Sequence, residues 1–294
     1  MENMMLKGCG TALVTPFKNE EVDYAAFERL VQFQIEAGIH FLVPLGTTGE
    51  TPCLMDAERI KLLQIAKANA AGRPVMVGVG TNSLVMTRGN IDVLAPYGPD
   101  AFLVVTPYYN KPSQDGLRTY FQAVADYSPK PIVLYNVPGR TGVNITAETT
   151  LALAEHPNII AVKEASGNYA QISRIIAGAP KDFAVLCGND DETLSLMATG
   201  AAGVVSVASN IVPKELVQMT EAMQNNDLVT ARAIHHRLFD LFKNCFVESN
   251  PIPAKAALHL MGMMENELRL PLVPASESTM ALMRKTLQNL NIIK

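Results

Sequence analysis

The sequence predicts an α/β fold, a (β/α)8 TIM barrel with a C-terminal helical appendage. From Gly10 onward, short apolar runs alternate with longer amphipathic segments, and eight such units fit within the 294 residues. The apolar runs are continuous, as expected of parallel strands that are buried on both faces. After Asn226 the segments are helical, with no strand between them. We therefore expect the barrel in residues 1–225 and the helical extension in residues 226–294.

Each predicted strand is short and is followed by one predicted helix. The strands are expected at Thr11–Val14, His40–Leu45, Pro74–Val79, Ala101–Val105, Ile132–Tyr135, Ile159–Lys163, Ala184–Cys187 and Gly203–Val207. The helices between them are expected at Tyr24–Ala37, Asp56–Ala70, Leu84–Ala95, Gly116–Tyr127, Ala147–Ala154, Tyr169–Ala177, Glu192–Ala198 and Pro213–Asn225. The extension is expected to hold helices at Leu228–Phe246, Pro253–Met263 and Glu277–Leu290. Eight such units in one chain favour a closed barrel over an open doubly wound sheet.

Composition narrows the classes of function. The 24 basic and 28 acidic residues nearly balance, and no basic run is present, so we expect no nucleic-acid partner. No apolar run approaches the ~20 residues that span a bilayer, and residues 1–8 lack the apolar core of a signal peptide, so we expect a cytoplasmic protein without membrane contact. The cysteines lie far apart, which makes a disulfide framework or zinc ribbon unexpected: Cys9, Cys53, Cys187 and Cys245.

One dense acidic cluster, Asp190–Glu192, has two interpretations. Its carboxylates could bind a metal ion. They could instead stand at a helix N-terminus, where they face the positive end of the helix dipole. We favour the second interpretation, because the five histidines of the chain are scattered without ligand spacing.

A lysine ends one of the predicted buried strands. Ile159–Val162 is an apolar run, Lys163 follows it, and Ser166 and Gly167 close the segment. Burial disfavours the ammonium form and can lower a lysine pKa by about 3–5 units from about 10.4, which leaves a nucleophilic amine near neutral pH. The alternative is a strand-end lysine whose ammonium group reaches solvent. The run alone leaves both interpretations open.

Loops at the C-terminal ends of barrel strands hold the other candidate site residues. Thr47 and Thr48, in a glycine-flanked loop, offer hydroxyl and backbone N–H donors for a carboxylate, or form an ordinary tight turn. Tyr135 ends the strand beside that of Lys163, as a proton shuttle or as a core aromatic residue. Arg140 lies in a loop rich in proline and glycine, where its planar guanidinium suits a substrate carboxylate or simply faces solvent.

Four motifs in successive strand-end loops together carry a family resemblance. They are GTTGE at Gly46–Glu50, TPYYNKPSQ at Thr106–Gln114, YNVPGRTG at Tyr135–Gly142 and VKEASG at Val162–Gly167. In these motifs, and over nearly the whole chain, the sequence resembles the dihydrodipicolinate synthase family of pyruvate-dependent class I aldolases. The resemblance implies a lyase that condenses pyruvate with L-aspartate 4-semialdehyde, giving 4-hydroxy-tetrahydrodipicolinate for diaminopimelate and lysine biosynthesis.

The resemblance also implies roles for the catalytic residues. Lys163 is similar to the lysine that takes pyruvate as an imine (a Schiff base), and Tyr135 to the proton shuttle that is positioned through Thr48. Tyr109 matches a tyrosine that family members donate to the neighbouring subunit's site. The family is usually a dimer of dimers, so a homotetramer is expected.

The remaining implied positions bind substrate. Thr47 and Thr48 would hold the pyruvate carboxylate and Arg140 the carboxylate of the semialdehyde, while the backbones of Gly188 and Val205 would line the pocket. The resemblance implies no metal and no organic cofactor, because the covalent imine supplies the electron sink.

One feature departs from the family pattern. Members that are inhibited by lysine carry histidines on the second helix and a glutamate at the start of the third. The matching positions here are Asp56, Arg59 and Met86, although Asn82 and Tyr108 remain. We therefore expect weak or absent lysine feedback.

Two other functions would fit parts of these motifs. Another pyruvate-dependent aldolase, such as N-acetylneuraminate lyase or a keto-deoxy-sugar-acid aldolase, would share Lys163, Tyr135 and the threonine loop. The Arg140 loop favours the synthase, because sugar-acid lyases recognise polyhydroxyl chains. A non-catalytic barrel that senses a keto acid is the alternative from another class, and the full set of reactive loops makes it the weaker one.

Overall fold

The computed structural model describes residues 6–294 and has a TIM-barrel fold, which confirms the predicted fold class. The first five residues, on which the expectation about a signal peptide partly rests, lie outside the described part. Within that part, eight parallel strands form one sheet: β1 Gly8–Ala12, β2 Phe41–Val43, β3 Met76–Gly78, β4 Ala101–Val105, β5 Ile132–Asn136, β6 Ile159–Glu164, β7 Ala184–Cys187 and β8 Gly203–Ser206. Their order is β2-β1-β8-β7-β6-β5-β4-β3, and a bridge between Leu42 and Val75 joins the two outer strands. The barrel is therefore nearly closed.

The helices follow the strands as predicted. Those of the barrel are α1 Tyr24–Glu36, α2 Asp56–Asn69, α3 Leu84–Leu94, α4 Gln114–Tyr127, α5 Ala147–Ala154, α6 Tyr169–Gly178, α7 Thr193–Ala198 and α8 Pro213–Gln224. Those of the C-terminal extension are α9 Leu228–Asn244, α10 Ile252–Leu260 and α11 Glu277–Asn289. Helix α9 packs on α8, and α11 packs on both α9 and α10, so the extension is continuous with the barrel's helical layer.

Several short elements lie in the loops. They are a hairpin of Phe17–Lys18 and Glu21–Val22, a one-turn helix Pro138–Thr141, and 3-10 turns at Thr47–Gly49, Thr51–Cys53, Ala95–Tyr97, Asp190–Glu192 and Ala208–Asn210. Most of them follow barrel strands, so they shape the mouth where the candidate residues lie.

Strand β1 starts earlier than predicted, at Gly8, and includes two glycines. At least one of them, Gly10, is needed for packing. A Cβ on Gly10 would lie 2.0 Å from the Phe41 ring, so the glycine leaves room for that ring inside the barrel. Helix α4 also starts earlier, at Gln114, because the Ser113 side chain accepts a hydrogen bond from the Gly116 N–H and caps the helix.

Two apolar layers hold the fold together. One fills the barrel interior with residues such as Phe41, Met76 and Leu103. The other lies between strands and helices, with residues such as Leu134 and Val162. Alternate residues of a strand face opposite sides, so Leu134 and Val162 face the helices while their neighbours face the interior. Across residues 6–294, no helix is long and apolar enough to cross a membrane.

Candidate active site

Lys163 and Tyr135 meet at the C-terminal end of the barrel interior. They are register partners on β6 and β5, and each is only 6% exposed. Tyr135 belongs to the interior cluster, and Lys163 faces the same side because Val162 before it packs outward. The Lys163 Nζ lies 4.3 Å from the centre of the Tyr135 ring. Among the described residues, no carboxylate forms an ion pair with this ammonium group.

Gly188 adjoins Lys163, and Val205 belongs to the same interior cluster as Tyr135. The Gly188 N–H, just after β7, donates to the carbonyl oxygen of Glu164 at 2.7 Å. A Cβ on Gly188 would lie 3.1 Å from the Cε of Lys163, so the glycine provides the space that the lysine side chain occupies. Val205 lies on β8 and is fully buried in the interior cluster.

The threonine loop follows β2 as a 3-10 turn. Thr48 is buried and Thr47 is half-buried. Hydroxyl groups fix the backbone on both sides, since Thr15 Oγ1 donates to the Gly49 carbonyl at 2.7 Å and Thr51 Oγ1 to the Gly46 carbonyl at 2.9 Å. The loop is therefore held as a rigid turn with Thr48 facing inward.

Asn250 is a site residue that the sequence interpretation missed. Its Nδ2 donates to the Thr48 hydroxyl at 3.0 Å, and its carbonyl accepts from Arg140 Nη2 at 3.2 Å. Within residues 6–294, the Thr48 hydroxyl makes this bond and none to Tyr135. The Oδ1 of Asn250 is buried without a hydrogen-bond partner. The segment before α10 thus joins the threonine loop to the exposed arginine on the short helix Pro138–Thr141.

Tyr109 lies apart from these residues within one chain. It is 88% exposed and adopts a left-handed φ of 72°. A bulky residue in that conformation is strained, and the high exposure shows that the Tyr109 side chain is not packed against its own chain. Its predicted contact with a neighbouring subunit stays a prediction.

A buried polar network lies behind the lysine, on the outer face of the same strands. The Glu164 carboxylate accepts from the side chains of Asn136, Gln171 and Ser166, and burial raises its pKa. These bonds join the ends of β5, β6 and α6. Because Glu164 and Asn136 directly follow Lys163 and Tyr135, the network fixes the strand ends that carry the two candidate catalytic residues.

The acidic cluster at Asp190 caps a turn elsewhere in the fold. Its Oδ2 accepts from the backbone N–H groups of Val207 and Ala208 at 3.0 and 2.9 Å, at the start of the turn Ala208–Asn210. Burial raises the pKa of this carboxyl. The cluster also directly precedes α7, so the favoured interpretation, a helix N-terminus, is confirmed, while the bonds from Asp190 to the turn at Ala208 were not predicted. In the described part of the chain, no group of three or more His, Cys, Asp or Glu residues is arranged to hold a metal ion.

Two of the positions on which the expectation about lysine feedback rests, Asp56 and Arg59, contact each other. The guanidinium of Arg59 pairs with the Asp56 carboxylate at 2.5 Å and with the Asn90 side chain at 2.9 Å. Met86 is 60% exposed. Two of these positions thus carry a paired cation and an exposed apolar side chain, and weak or absent lysine feedback stays a prediction.

Comparisons with known proteins agree over the full length of the chain. Residues 5–290 match the Dihydrodipicolinate synthetase family. The chain is 47% identical to the 4-hydroxy-tetrahydrodipicolinate synthase of Fervidobacterium nodosum, over 98% of this chain and 100% of that protein. It is 49% identical to the enzyme of the same name from Koribacter versatilis, over 99% and 98%. The crystal structure of dihydrodipicolinate synthase from Thermotoga maritima superposes with a TM-score of 0.97 at 46% identity, covering 99% of this chain and 100% of that one.

Proposed function

This chain belongs to the dihydrodipicolinate synthetase family, and from that premise we propose that it is a 4-hydroxy-tetrahydrodipicolinate synthase that works through an imine on Lys163. It is an enzyme of the lyase type, and its substrates are pyruvate and L-aspartate 4-semialdehyde. The observation that supports the imine most directly is the Lys163 side chain, which is buried beside Tyr135 at the barrel mouth and has no carboxylate partner within residues 6–294.

The chemistry begins with addition of the Lys163 amine to the keto carbon of pyruvate. A carbon–nitrogen bond forms, the carbonyl oxygen leaves as water, and a protonated imine remains. Loss of a methyl proton then gives an enamine, because the protonated imine nitrogen accepts electron density as the carbon–hydrogen bond breaks. The enamine carbon then attacks the aldehyde, and the amino group of the semialdehyde displaces Lys163 as the ring closes. The imine nitrogen is the electron sink, so these steps require no metal or organic cofactor.

Neighbouring side chains would move the protons and hold the carboxylates. The Tyr135 phenol is adjacent to Lys163 and suits proton transfer at the imine. The Thr47–Thr48 loop would bind the pyruvate carboxylate through hydroxyl and N–H donors, and Arg140 would bind the carboxylate of the semialdehyde. The Thr48 hydroxyl would extend the proton relay once substrate is bound.

Oligomerisation is part of this proposal. Tyr109 is exposed and not packed against its own chain, so it would complete the relay of a neighbouring subunit. We expect at least a dimer, and a dimer of dimers by analogy with the family. The exposed tyrosine pair Tyr108–Tyr109 would then be buried between subunits.

Borohydride trapping tests the proposal. Wild-type protein incubated with pyruvate and borohydride should become covalently labelled on the peptide that contains Lys163. The Lys163→Ala variant should lose the label and remain folded, and Lys243→Ala, at an exposed lysine, should label like wild type. Folded wild-type protein that is not labelled would refute the imine. Turnover with N-acetylneuraminate instead of the semialdehyde would assign the chain to the rival aldolases.

A further inference from the structure

A second buried charge lies at the end of the threonine loop. Glu50 lies two residues after Thr48, and its side chain is 0% exposed. Its backbone adopts a left-handed φ of 52°. Residues other than glycine in that region are strained, and such strain persists only where the surrounding structure enforces it. The contacts of Glu50 therefore show which residues hold the loop in this conformation.

The residue that holds Glu50 in this conformation comes from the C-terminal extension. Lys255, on α10, places its Nζ 2.7 Å from Glu50 Oε1, and its side chain is also 0% exposed. Glu50 Oε2 accepts the backbone N–H of Arg269 at 3.2 Å. The Lys255 Nζ lies 4.3 Å from the centre of the Phe17 ring, within range of a cation–π contact. Both charges are thus compensated inside the protein.

We propose that the Glu50–Lys255 ion pair is a positioning device that sets the geometry of the Thr47–Thr48 loop for the pyruvate carboxylate. This inference rests on the proposed function. Glu50 and Lys255 touch neither substrate nor the reacting atoms in this scheme. They hold the backbone of the loop in place. The loop in turn sets the pyruvate concentration at which imine formation on Lys163 is half-saturated.

Stability alone does not explain a buried pair of this kind. Taking two charges out of water costs free energy, and replacing such a pair by apolar side chains often leaves stability unchanged or increases it. A directional contact between segments 205 positions apart does fix one arrangement of the loop. Five residues before Lys255, Asn250 binds the Thr48 hydroxyl. One short segment therefore holds both the hydroxyl and the end of the same loop.

The Glu50–Lys255 pair also means that only one of the two buried lysines has a carboxylate partner. Burial lowers the pKa of Lys255, but the Glu50 carboxylate opposes that shift and occupies the ammonium group. Lys163 has no such counter-ion within the described residues. The trapping reaction should therefore label Lys163 and leave Lys255 unmodified.

The test measures how borohydride trapping at Lys163 depends on pyruvate concentration. Glu50→Gln and the double variant Glu50→Gln/Lys255→Met should both raise the half-saturating pyruvate concentration about tenfold or more, since a displacement of about 1 Å at a site can cost up to about 10²-fold. The double variant removes both buried charges, so it keeps the test informative if the single variant fails to fold. The KM for the semialdehyde should change much less than the KM for pyruvate.

Glu58→Gln is the matched control. Glu58 forms a bidentate ion pair with Arg269 in the same region, at 2.7 and 2.8 Å, but it lies in the first turn of α2 and not in the threonine loop. This variant should lower the melting temperature and leave the pyruvate dependence unchanged.

The outcomes separate the two proposals. If wild type is not trapped, the proposed function fails and the positioning role with it. If wild type is trapped and the double variant shows the same pyruvate dependence, the positioning role alone is refuted. It is likewise refuted if Glu58→Gln shifts the pyruvate dependence as far as Glu50→Gln does, because loss of stability would then explain both.

Discussion

Gly188→Ala tests how closely the barrel mouth is packed around Lys163. The Gly188 backbone does not adopt the left-handed conformation, so alanine meets no backbone strain there. The substitution adds one methyl group beside the lysine and changes no charge. Any effect must therefore come from contact with neighbouring atoms.

The magnitude follows from three distances. The new Cβ would lie 3.1 Å from Lys163 Cε, 3.0 Å from the Glu164 carbonyl oxygen and 2.7 Å from Ala165 Cβ. Carbon atoms pack best at about 3.5–4.0 Å, so the neighbours must retreat by about 0.5–1 Å. Overpacking of this kind costs about 1–3 kcal/mol of stability. A similar displacement of a reacting group lowers the rate by up to about 10²-fold, so we expect kcat/KM to fall between about 10-fold and 100-fold.

The assay is steady-state turnover with both substrates, together with thermal unfolding. Gly89→Ala is the control, because Gly89 lies in α3 and a Cβ added there would have no atom within 4 Å. It should keep full activity and gain up to about 1 kcal/mol of helix stability. If Gly188→Ala keeps wild-type kcat/KM and trapping, Lys163 does not depend on this space and the packing interpretation is wrong.

Three other predictions concern charge, regulation and assembly. Burial raises the pKa of Glu164, so the stability that its protonated form contributes is lost as pH rises above about 4.3. Because glutamine does not titrate, the unfolding free energy of Glu164→Gln relative to wild type should increase from pH 4 to pH 8 in urea titrations. A decrease over that range would contradict the direction of the shift. Arg59 is paired with Asp56 at two of the positions from which weak lysine feedback is expected, so millimolar L-lysine should leave the rate at saturating pyruvate unchanged. Abolished activity would show that the chain is inhibited by lysine. Tyr109→Phe should lower kcat about 10²-fold, and mixing it with Lys163→Ala subunits should restore activity only if the phenol acts between subunits.

The barrel was predictable because its signals are local. Strand β4 at Ala101–Val105 and helix α5 at Ala147–Ala154 match their predicted bounds, since apolar runs and amphipathic segments are visible within a few residues. The hairpin of Phe17–Lys18 and Glu21–Val22 was missed because its strands have only two residues each, too few to show a period. The meeting of Lys163 and Tyr135 was predictable from topology, because the ends of adjacent parallel strands share one edge.

The supporting contacts were not predictable, because they join distant segments through single atoms. Asn250 binds Thr48 across 202 positions, and Asp190 caps a turn 17 and 18 residues away. The sequence around an asparagine in a loop, or around an aspartate beside a helix, does not indicate which distant residue its side chain binds. The GTTGE motif included Glu50, yet nothing around it indicated a buried carboxylate paired with the C-terminal extension.

The two buried lysines explain why burial alone is a weak guide to chemistry. Lys163 was singled out by the apolar run before it, whereas Lys255, which is the more deeply buried, follows an ordinary helix start. What distinguishes them is the counter-ion: Glu50 holds the ammonium group of Lys255 at 2.7 Å, and in residues 6–294 no carboxylate does so for Lys163. Both side chains of the Glu50–Lys255 pair are 0% exposed, so a substrate carbonyl does not reach the Lys255 amine. The ion pair thus encloses Lys255 and anchors the loop that would bind pyruvate, while Lys163 is the buried lysine that lies beside Tyr135 at the barrel mouth.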